Sequence, residues 1–144
     1  MKKFSETSKI RLSTCHEDLE LIMNTALQYS DIDFGISEGY RSVELQQKYF
    51  KEGKSKLDGI TKLGKHNEHP SMACDIFIVI NENKPYDPEH ISYLAGIIHA
   101  ASEMLFEKGV TRHKVRWGGN WDMDGTILID QIFDDRPHFE LVKV

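Results

Sequence analysis

An almost uninterrupted apolar run at residues 73–80, ACDIFIVI, constrains the fold more than any other stretch of the sequence. A short apolar run rich in β-branched residues predicts a strand, and a strand that is apolar on both sides is expected to be buried on both. Its one charged residue is Asp75, and an unpaired carboxylate in such a strand would cost several kcal/mol. Asp75 therefore requires a cation, either a Lys or Arg side chain or a metal ion.

The length and composition predict one globular domain that spans residues 1–144. A chain of 144 residues can build one hydrophobic core, and its 40% hydrophobic and 28% charged residues are typical of soluble proteins. Its net charge of −5 provides no general attraction to nucleic acid, and no apolar run approaches the length of a membrane span. We therefore expect no nucleic-acid partner and no membrane insertion, and we expect a monomer.

Hydrophobic periodicity and turn signals predict an α+β fold. Apolar residues at helical spacing predict helices over residues 15–29, 43–51 and 88–108, the first of them after a capping box formed by Thr14 and Glu17. Strand patterns occur at 33–37, 73–80, 114–117 and 138–142. Because regular helical crossovers do not separate these strands, we expect a small antiparallel sheet packed against the helices.

The segment that contains Asp75, KHNEHPSMACDI, raises the question of which of its side chains bind a metal. Pro70 disfavours a helix here, so His66 and His69 are not expected to share a helical face. In the strand that follows, Cys74 and Asp75 point to opposite faces and cannot easily serve one ion. We expect His69 to be a loop histidine and Cys74 to be a buried thiol.

A second cluster near the C-terminus offers further ligands. In FDDRPHFEL, Asp135 precedes His138 by three residues and Pro137 stiffens the connection. His66, Asp75 and His138 would form a site of two imidazoles and one carboxylate with a coordination position left for water, which is the composition of a catalytic zinc site. Asp135 would then act as the base.

Four motifs carry a resemblance to a known family. GYRS, KHNEHPSMACDI, WGGNWD and DDRPHFEL, in this order and at these separations, resemble the phage and bacterial zinc peptidases that include L-alanyl-D-glutamate endopeptidase endolysins and D-alanyl-D-alanine carboxypeptidases. The early stretch LSTCHEDLELIMNTAL is similar to the short phage branch, so the resemblance covers nearly the whole chain. It implies a Hedgehog/DD-peptidase-like fold and one bound Zn²⁺.

The resemblance also implies a role for individual residues. The family's metal ligands fall on His66, Asp75 and His138, and its catalytic acid/base falls on Asp135. Arg41 matches the arginine that binds and polarises the substrate, as a guanidinium can do for a carboxylate or an oxyanion.

Two tryptophans and one glycine in the motifs are less decisive. Trp117 and Trp121 could wall the substrate groove, although packing around the paired glycines explains them equally well. Gly64 departs from the family, where a serine often stands two residues before the first histidine ligand. Glycine lacks the serine hydroxyl, which could form a hydrogen bond to the substrate or to a group that supports the metal ligands. The metal ligands themselves are unchanged.

The function implied by the resemblance is zinc-dependent cleavage of the stem peptide of peptidoglycan, at the L-alanyl-D-glutamate bond as in endolysins. The same constellation serves D-alanyl-D-alanine carboxypeptidases, and the similar Hedgehog signalling domain retains zinc while acting through protein binding. Asp135 and Arg41 beside all three ligands favour an enzyme. We expect synthesis in the cytoplasm of a bacterial host and action on the cell wall after release, or a place in the virion.

An acidic stretch at residues 120–125, which overlaps the WGGNWD motif, could bind Ca²⁺. Asn120, Asp122, Asp124 and Gly125 match the first half of a calcium-binding loop, but the twelfth position is Gln131, where a bidentate Glu is expected. A calcium site and a solvated acidic loop are the two alternatives.

Overall fold

The computed structural model describes residues 1–54, 64–80, 83–125 and 135–144. Within these ranges the chain forms four α-helices, one 3₁₀-helix at Lys65–Asn67 and four strands. The elements are α1 (Glu6–Ser13), α2 (Glu17–Tyr29), β1 (Phe34–Glu38), α3 (Val43–Lys51), β2 (Ala73–Ile78), α4 (Pro88–Glu107), β3 (His113–Trp117) and β4 (His138–Lys143). The strands form one antiparallel sheet in the order β1-β2-β4-β3, which confirms the predicted α+β fold.

The register of the sheet places its charged side chains together. Asp75 of β2 lies opposite His138 of β4, and Arg116 of β3 lies opposite Glu140 of β4. Because side chains alternate along a strand, these residues share one face of the sheet. The other face carries apolar residues that include Cys74 and Phe139, both fully buried.

Two helices cover the apolar face of the sheet. The predicted stripes of α2 and α4 are buried in the core, and Ala101 of α4 is buried with them. The buried members of the stripes are Leu19, Ile22, Met23, Ala26, Leu27, Ile91, Leu94, Ala95, Ile98 and Leu105. Removal of these side chains from water is the main contribution to the stability of the fold. No helix in the described part of the chain is long and apolar enough to cross a membrane.

The start of α2 differs from the prediction. Its N-cap is His16, whose Nδ1 accepts the backbone N–H of Asp18 at 3.0 Å. The hydroxyl of Thr14 instead donates to the carbonyl of Arg11 at 2.6 Å, so the predicted capping box does not form. The cause is α1, whose last turn uses the hydroxyl that would have capped α2.

The apolar run at 73–80 is a strand over only part of its length. β2 ends at Ile78, and Val79 and Ile80 are 46% and 61% exposed. Burial of both faces is therefore wrong for the end of this run. The side chain of Asp75 is 18% exposed, so this face of the strand is not fully buried either.

Candidate active site

The three predicted metal ligands come from three separate elements and meet on the charged face of the sheet. His66 lies in the 3₁₀-helix, Asp75 in β2, and His138 is the first residue of β4. The distance from Asp75 Oδ1 is 3.2 Å to His66 Nε2 and 3.3 Å to His138 Nδ1, and the two nitrogens are 3.2 Å apart. Both histidines are buried.

Hydrogen bonds behind the two imidazoles decide which nitrogens face the cluster. His66 Nδ1 lies 2.7 Å from the carbonyl oxygen of Gly39, which can only accept, so Nδ1 carries the proton. His138 Nε2 lies 2.8 Å from Glu140 Oε1 and donates to that carboxylate. In their neutral forms, His66 therefore presents the lone pair of Nε2 and His138 presents the lone pair of Nδ1.

With both histidines neutral, His66 Nε2, His138 Nδ1 and Asp75 Oδ1 are three acceptors that face one another with no hydrogen between them, and such a group requires a cation. In the metal-free molecule a proton meets part of this need: burial lowers the pKa of His138, but its hydrogen bonds to Asp75 and Glu140 raise it to about 9. Burial raises the pKa of Asp75, yet the hydrogen bonds with His138 and His66 bring it far below its usual range. The residues present thus fit a divalent metal, which would displace the proton and neutralise the carboxylate.

The loop after β1 fixes the position of His66. The backbone N–H of Arg41 donates to the His66 carbonyl at 2.7 Å, and the side-chain amide of Asn67 donates to the Arg41 carbonyl at 2.8 Å. Glycine at position 39 lets the same loop pass close to the end of α1, since a Cβ there would lie 2.3 Å from the Arg11 carbonyl oxygen. The GYRS and KHN segments are therefore held together as one unit.

The guanidinium of Arg41 is held in place by its own surroundings. Its Nε pairs with Glu38, its Nη1 donates to Gln46 at 2.8 Å, and its guanidinium carbon lies 4.8 Å from the centroid of the Tyr49 ring. Its Nη2 faces Asp75 Oδ2 at 3.9 Å, beyond hydrogen-bond distance. Arg41 thus presents a rigid cation beside the cluster.

Asp135 is positioned by the ends of β3 and β4. Its N–H donates to the carbonyl of Gly118 at 3.1 Å, and its carbonyl accepts the N–H of His138 at 3.1 Å. A Cβ on Gly118 would lie only 1.9 Å from the Asp135 carbonyl oxygen, so glycine is needed there. Burial raises the pKa of Asp135, and the nearby charge of Asp75 adds to this rise.

Comparisons with known proteins agree with this geometry. The profile of a family described as phage L-alanyl-D-glutamate peptidase matches residues 1–142. The chain belongs to this family. The crystal structure of Serratia marcescens L-Ala D-Glu endopeptidase ChiX is similar, with a TM-score of 0.69 and 26% sequence identity over 96% of this chain and 89% of that chain. No curated protein sequence matches the chain.

The two tryptophans of this peptidase occupy different environments. Trp117 lies on the apolar face, is 9% exposed, and stacks on Phe139 with ring centroids 6.5 Å apart. Its Nε1 donates to the carbonyl of Arg136 at 2.6 Å, which ties β3 to the segment before β4. These contacts of Trp117 are packing contacts, and its role in substrate binding stays a prediction. The ring of Trp121 lies 5.4 Å from that of His138.

A second group of two histidines and an aspartate has a different character. Asp18 Oδ2 accepts the N–H of Arg112 at 2.9 Å, the N–H of His113 at 3.2 Å and the Nδ1 proton of His113 at 2.8 Å. His16 Nδ1 already accepts the N–H of Asp18. Because Asp18 Oδ2 and His16 Nδ1 already accept hydrogen bonds, these two atoms do not require a cation, and their hydrogen bonds join the start of α2 to the start of β3.

The remaining candidates lie apart from the cluster. His69 is exposed and contacts the ring of Tyr40 with centroids 5.3 Å apart, and burial raises the pKa of the Cys74 thiol well above its usual value. In the proposed calcium loop, the side-chain amide of Asn120 donates to the Asp124 carbonyl at 2.8 Å. Gln131, the twelfth position of that loop, lies outside the described residues.

Sequence reasoning missed the residues that support the site from behind. Glu140 holds His138, while Glu38 and Gln46 hold Arg41. A signal for Glu140 was present, since residues two apart on a strand share a face, and His-x-Glu therefore places the carboxylate beside the ligand. No comparable pattern links Glu38 to Arg41 across the loop after β1.

Proposed function

We propose that this peptidase is a zinc-dependent L-alanyl-D-glutamate endopeptidase in which His66, Asp75 and His138 hold the metal. The observation that supports zinc is the separation of the three ligand atoms, 3.2, 3.2 and 3.3 Å. Ligand atoms about 2.0 Å from a tetrahedral zinc ion lie about 3.3 Å from one another. Two imidazoles and one carboxylate also leave a fourth position, as catalytic zinc sites do.

Asp135 is the proposed general acid/base. When bound, zinc supplies a Lewis acid beside the scissile bond. Asp135 takes a proton from the attacking water and delivers it to the departing amine, which balances the hydrolysis of the peptide bond. Its raised pKa suits both steps, because a carboxylate with a pKa nearer neutrality accepts a proton more readily.

Arg41 is the proposed group that binds and polarises the substrate. Its Nε and Nη1 are engaged by Glu38 and Gln46, which leaves Nη2 directed toward the cluster. A guanidinium fixed in this way can pair with a substrate carboxylate or with the oxyanion that develops on the scissile carbonyl. Since the fixing contacts exist before substrate binds, little reorganisation is needed during the reaction.

The family favours one peptide bond over the alternatives. The protein is an enzyme of a peptidoglycan peptidase family whose description names the L-alanyl-D-glutamate bond, and ChiX is an L-Ala D-Glu endopeptidase. The D-alanyl-D-alanine carboxypeptidase alternative uses the same constellation but has no support from these relatives. A noncatalytic Hedgehog-type role is disfavoured because Asp135 and a clamped Arg41 lie beside the cluster.

We further propose that the protein is made in the cytoplasm of a bacterial host and reaches the cell wall after release or as part of a virion. This placement follows from the substrate, because the stem peptide of peptidoglycan lies outside the cytoplasmic membrane. We expect the catalytic unit to be a monomer, since all the proposed site residues come from one chain.

Digestion of purified peptidoglycan tests the function. The protein would be incubated with the polymer, with and without a chelator, and the released termini would be identified by mass spectrometry. Zinc content would be measured in parallel in the wild type and in the D135N variant. We expect new amino termini on D-glutamate, loss of activity with chelator, and its recovery when zinc is added.

The other outcomes would point elsewhere. Release of free D-alanine would identify a D-alanyl-D-alanine carboxypeptidase. Tight zinc binding without any cleavage would indicate a binding domain, and cleavage unaffected by removal of all metal would refute the metal-dependent mechanism.

A further inference from the structure

A closed ring of contacts lies behind His138, on the side away from Asp75. His138 Nε2 donates to Glu140 Oε1 at 2.8 Å, and Arg116 Nη2 donates to Glu140 Oε2 at 2.6 Å. The guanidinium carbon of Arg116 is 5.5 Å from the centroid of the Trp121 ring, and that ring lies 5.4 Å from the ring of His138. The ring of contacts therefore returns to the imidazole from which it began.

Strand register brings these side chains together. His138 and Glu140 alternate along β4 and share a face, while Arg116 is the partner of Glu140 across the β3–β4 pairing. The backbone ladder thus sets the positions of ligand, carboxylate and guanidinium before any metal binds. Trp121 follows β3 by four residues and covers the guanidinium from the loop.

The charge of Glu140 also points to a role beyond packing. Its side chain is only 7% exposed, and a buried carboxylate is costly unless it is paired and hydrogen-bonded. Here both oxygens are occupied, one by Arg116 and one by His138. An apolar residue at this place on β4 would avoid the cost of burying the charge but could not hold the imidazole proton.

We propose that Glu140 is a positioning residue of the metal centre. It holds the ring proton of His138 on Nε2, so that Nδ1 is the nitrogen presented to Asp75 and His66, and Arg116 holds Glu140 in turn. This inference rests on the proposed function because it presumes that the three ligands bind zinc. It predicts that the two histidines use different nitrogens, Nε2 of His66 and Nδ1 of His138.

Zinc affinity of variants tests the proposal. Affinity would be measured by competition with a chromophoric chelator for the wild type, E140A and E140Q. We expect E140A to bind zinc about 10- to 100-fold more weakly, the usual range for loss of a carboxylate behind a histidine ligand. E140Q should lose less, because its amide oxygen can still accept the Nε2 proton.

A matched control exists elsewhere in the fold. Glu103 of α4 pairs with Lys114 of β3 at 2.9 Å, so E103Q removes a carboxylate charge from an ion pair that does not touch the cluster. Zinc affinity of E103Q should equal that of the wild type. Thermal unfolding of each metal-free variant would show whether E140A is folded. If it is not, the zinc affinity of E140Q would be compared with that of the wild type instead.

The state of His138 in the zinc-loaded wild type gives a readout that a purely stabilising residue would not affect. Long-range ¹H–¹⁵N spectra distinguish a protonated Nε2 with metal on Nδ1 from the reverse arrangement. We expect the former in the wild type. Zinc on Nε2 of His138, or an E140A variant that is folded and binds zinc as tightly as the wild type, would overturn the proposal.

Failure of this inference is distinguishable from failure of the proposed function. If H138A loses zinc while E140A retains full affinity, the metal centre stands and the role of Glu140 is wrong. If the wild type binds zinc no better than H138A, the proposed metal centre itself is wrong, and the inference falls with it.

Discussion

Substitution of Gly118 by alanine should strongly reduce the rate of the enzyme through a single added methyl group. The added Cβ would lie 1.9 Å from the carbonyl oxygen of Asp135 and 2.8 Å from its carbonyl carbon. Relief of this overlap requires the carbonyl to move by about 1 Å or more, since close-packed interiors do not tolerate shorter contacts. Asp135, the proposed acid/base, would move with its own backbone.

The expected magnitude follows from the sensitivity of catalysis to position. A displacement of about 1 Å from the productive geometry can cost about a hundredfold in rate. The same overlap should destabilise the fold by about 1–3 kcal/mol, as other overpacked sites do. Because the Asp135 carbonyl also accepts the N–H of His138, some loss of zinc affinity is expected as well. Rate should therefore be expressed per zinc-loaded molecule.

The assay compares G118A with a second glycine substitution. A Cβ on Gly96, in the middle of α4, would meet no atom within 4 Å, so G96A should retain full activity. G96A should also raise the free energy of unfolding by up to about 1 kcal/mol, because alanine is the better helix former. Turnover on peptidoglycan and urea unfolding would be measured for both. G118A with wild-type turnover at full zinc loading would refute the reasoning.

Three further predictions concern charge. D135N should lower turnover on peptidoglycan about a hundredfold or more while metal analysis shows zinc retained; full activity would contradict the proposed role. Because the pKa of His138 is raised to about 9 without metal, zinc must displace a proton below that pH, and zinc affinity should increase as pH rises toward 9. Calorimetry near neutral pH in two buffers of different ionisation enthalpy should detect about one proton released per zinc bound. Release of no proton would contradict the geometry. Burial raises the pKa of Asp18, but the hydrogen bonds from His113 and Arg112 outweigh burial and leave its pKa lower than usual. This stabilisation is present above about pH 4 and is lost as pH falls through the folded pKa. D18N should therefore cost about 1–3 kcal/mol in urea unfolding at pH 7, and the cost should decrease as the pH is lowered below about 4.

Local patterns in the sequence were sufficient for most of the fold. The stripes on α2 and α4 predicted which faces are buried, because a helix repeats every 3.6 residues whatever surrounds it. They failed where neighbours compete for one group, as at Thr14, whose hydroxyl serves α1 instead of capping α2. They also failed at the end of β2, since an apolar run carries no information about which face a helix will cover.

The sequence by itself also named the side chains that meet in the site. His66, Asp75, His138, Asp135 and Arg41 followed from ligand chemistry and from the order of four motifs. The structure brings the three ligands together, while their binding of zinc and the two catalytic roles stay predictions.

Only the tertiary structure decided how each of these side chains is used. Which nitrogen of His138 faces the cluster depends on Glu140, and which nitrogen of His66 does so depends on the carbonyl of Gly39. The tertiary structure likewise placed Trp117 on the apolar face, where its ring stacks on Phe139. The physical reason is that residue type specifies the available donors and acceptors, whereas strand pairing and loop contacts choose their partners, such as the carbonyl of Gly39, 27 residues away from His66 along the chain.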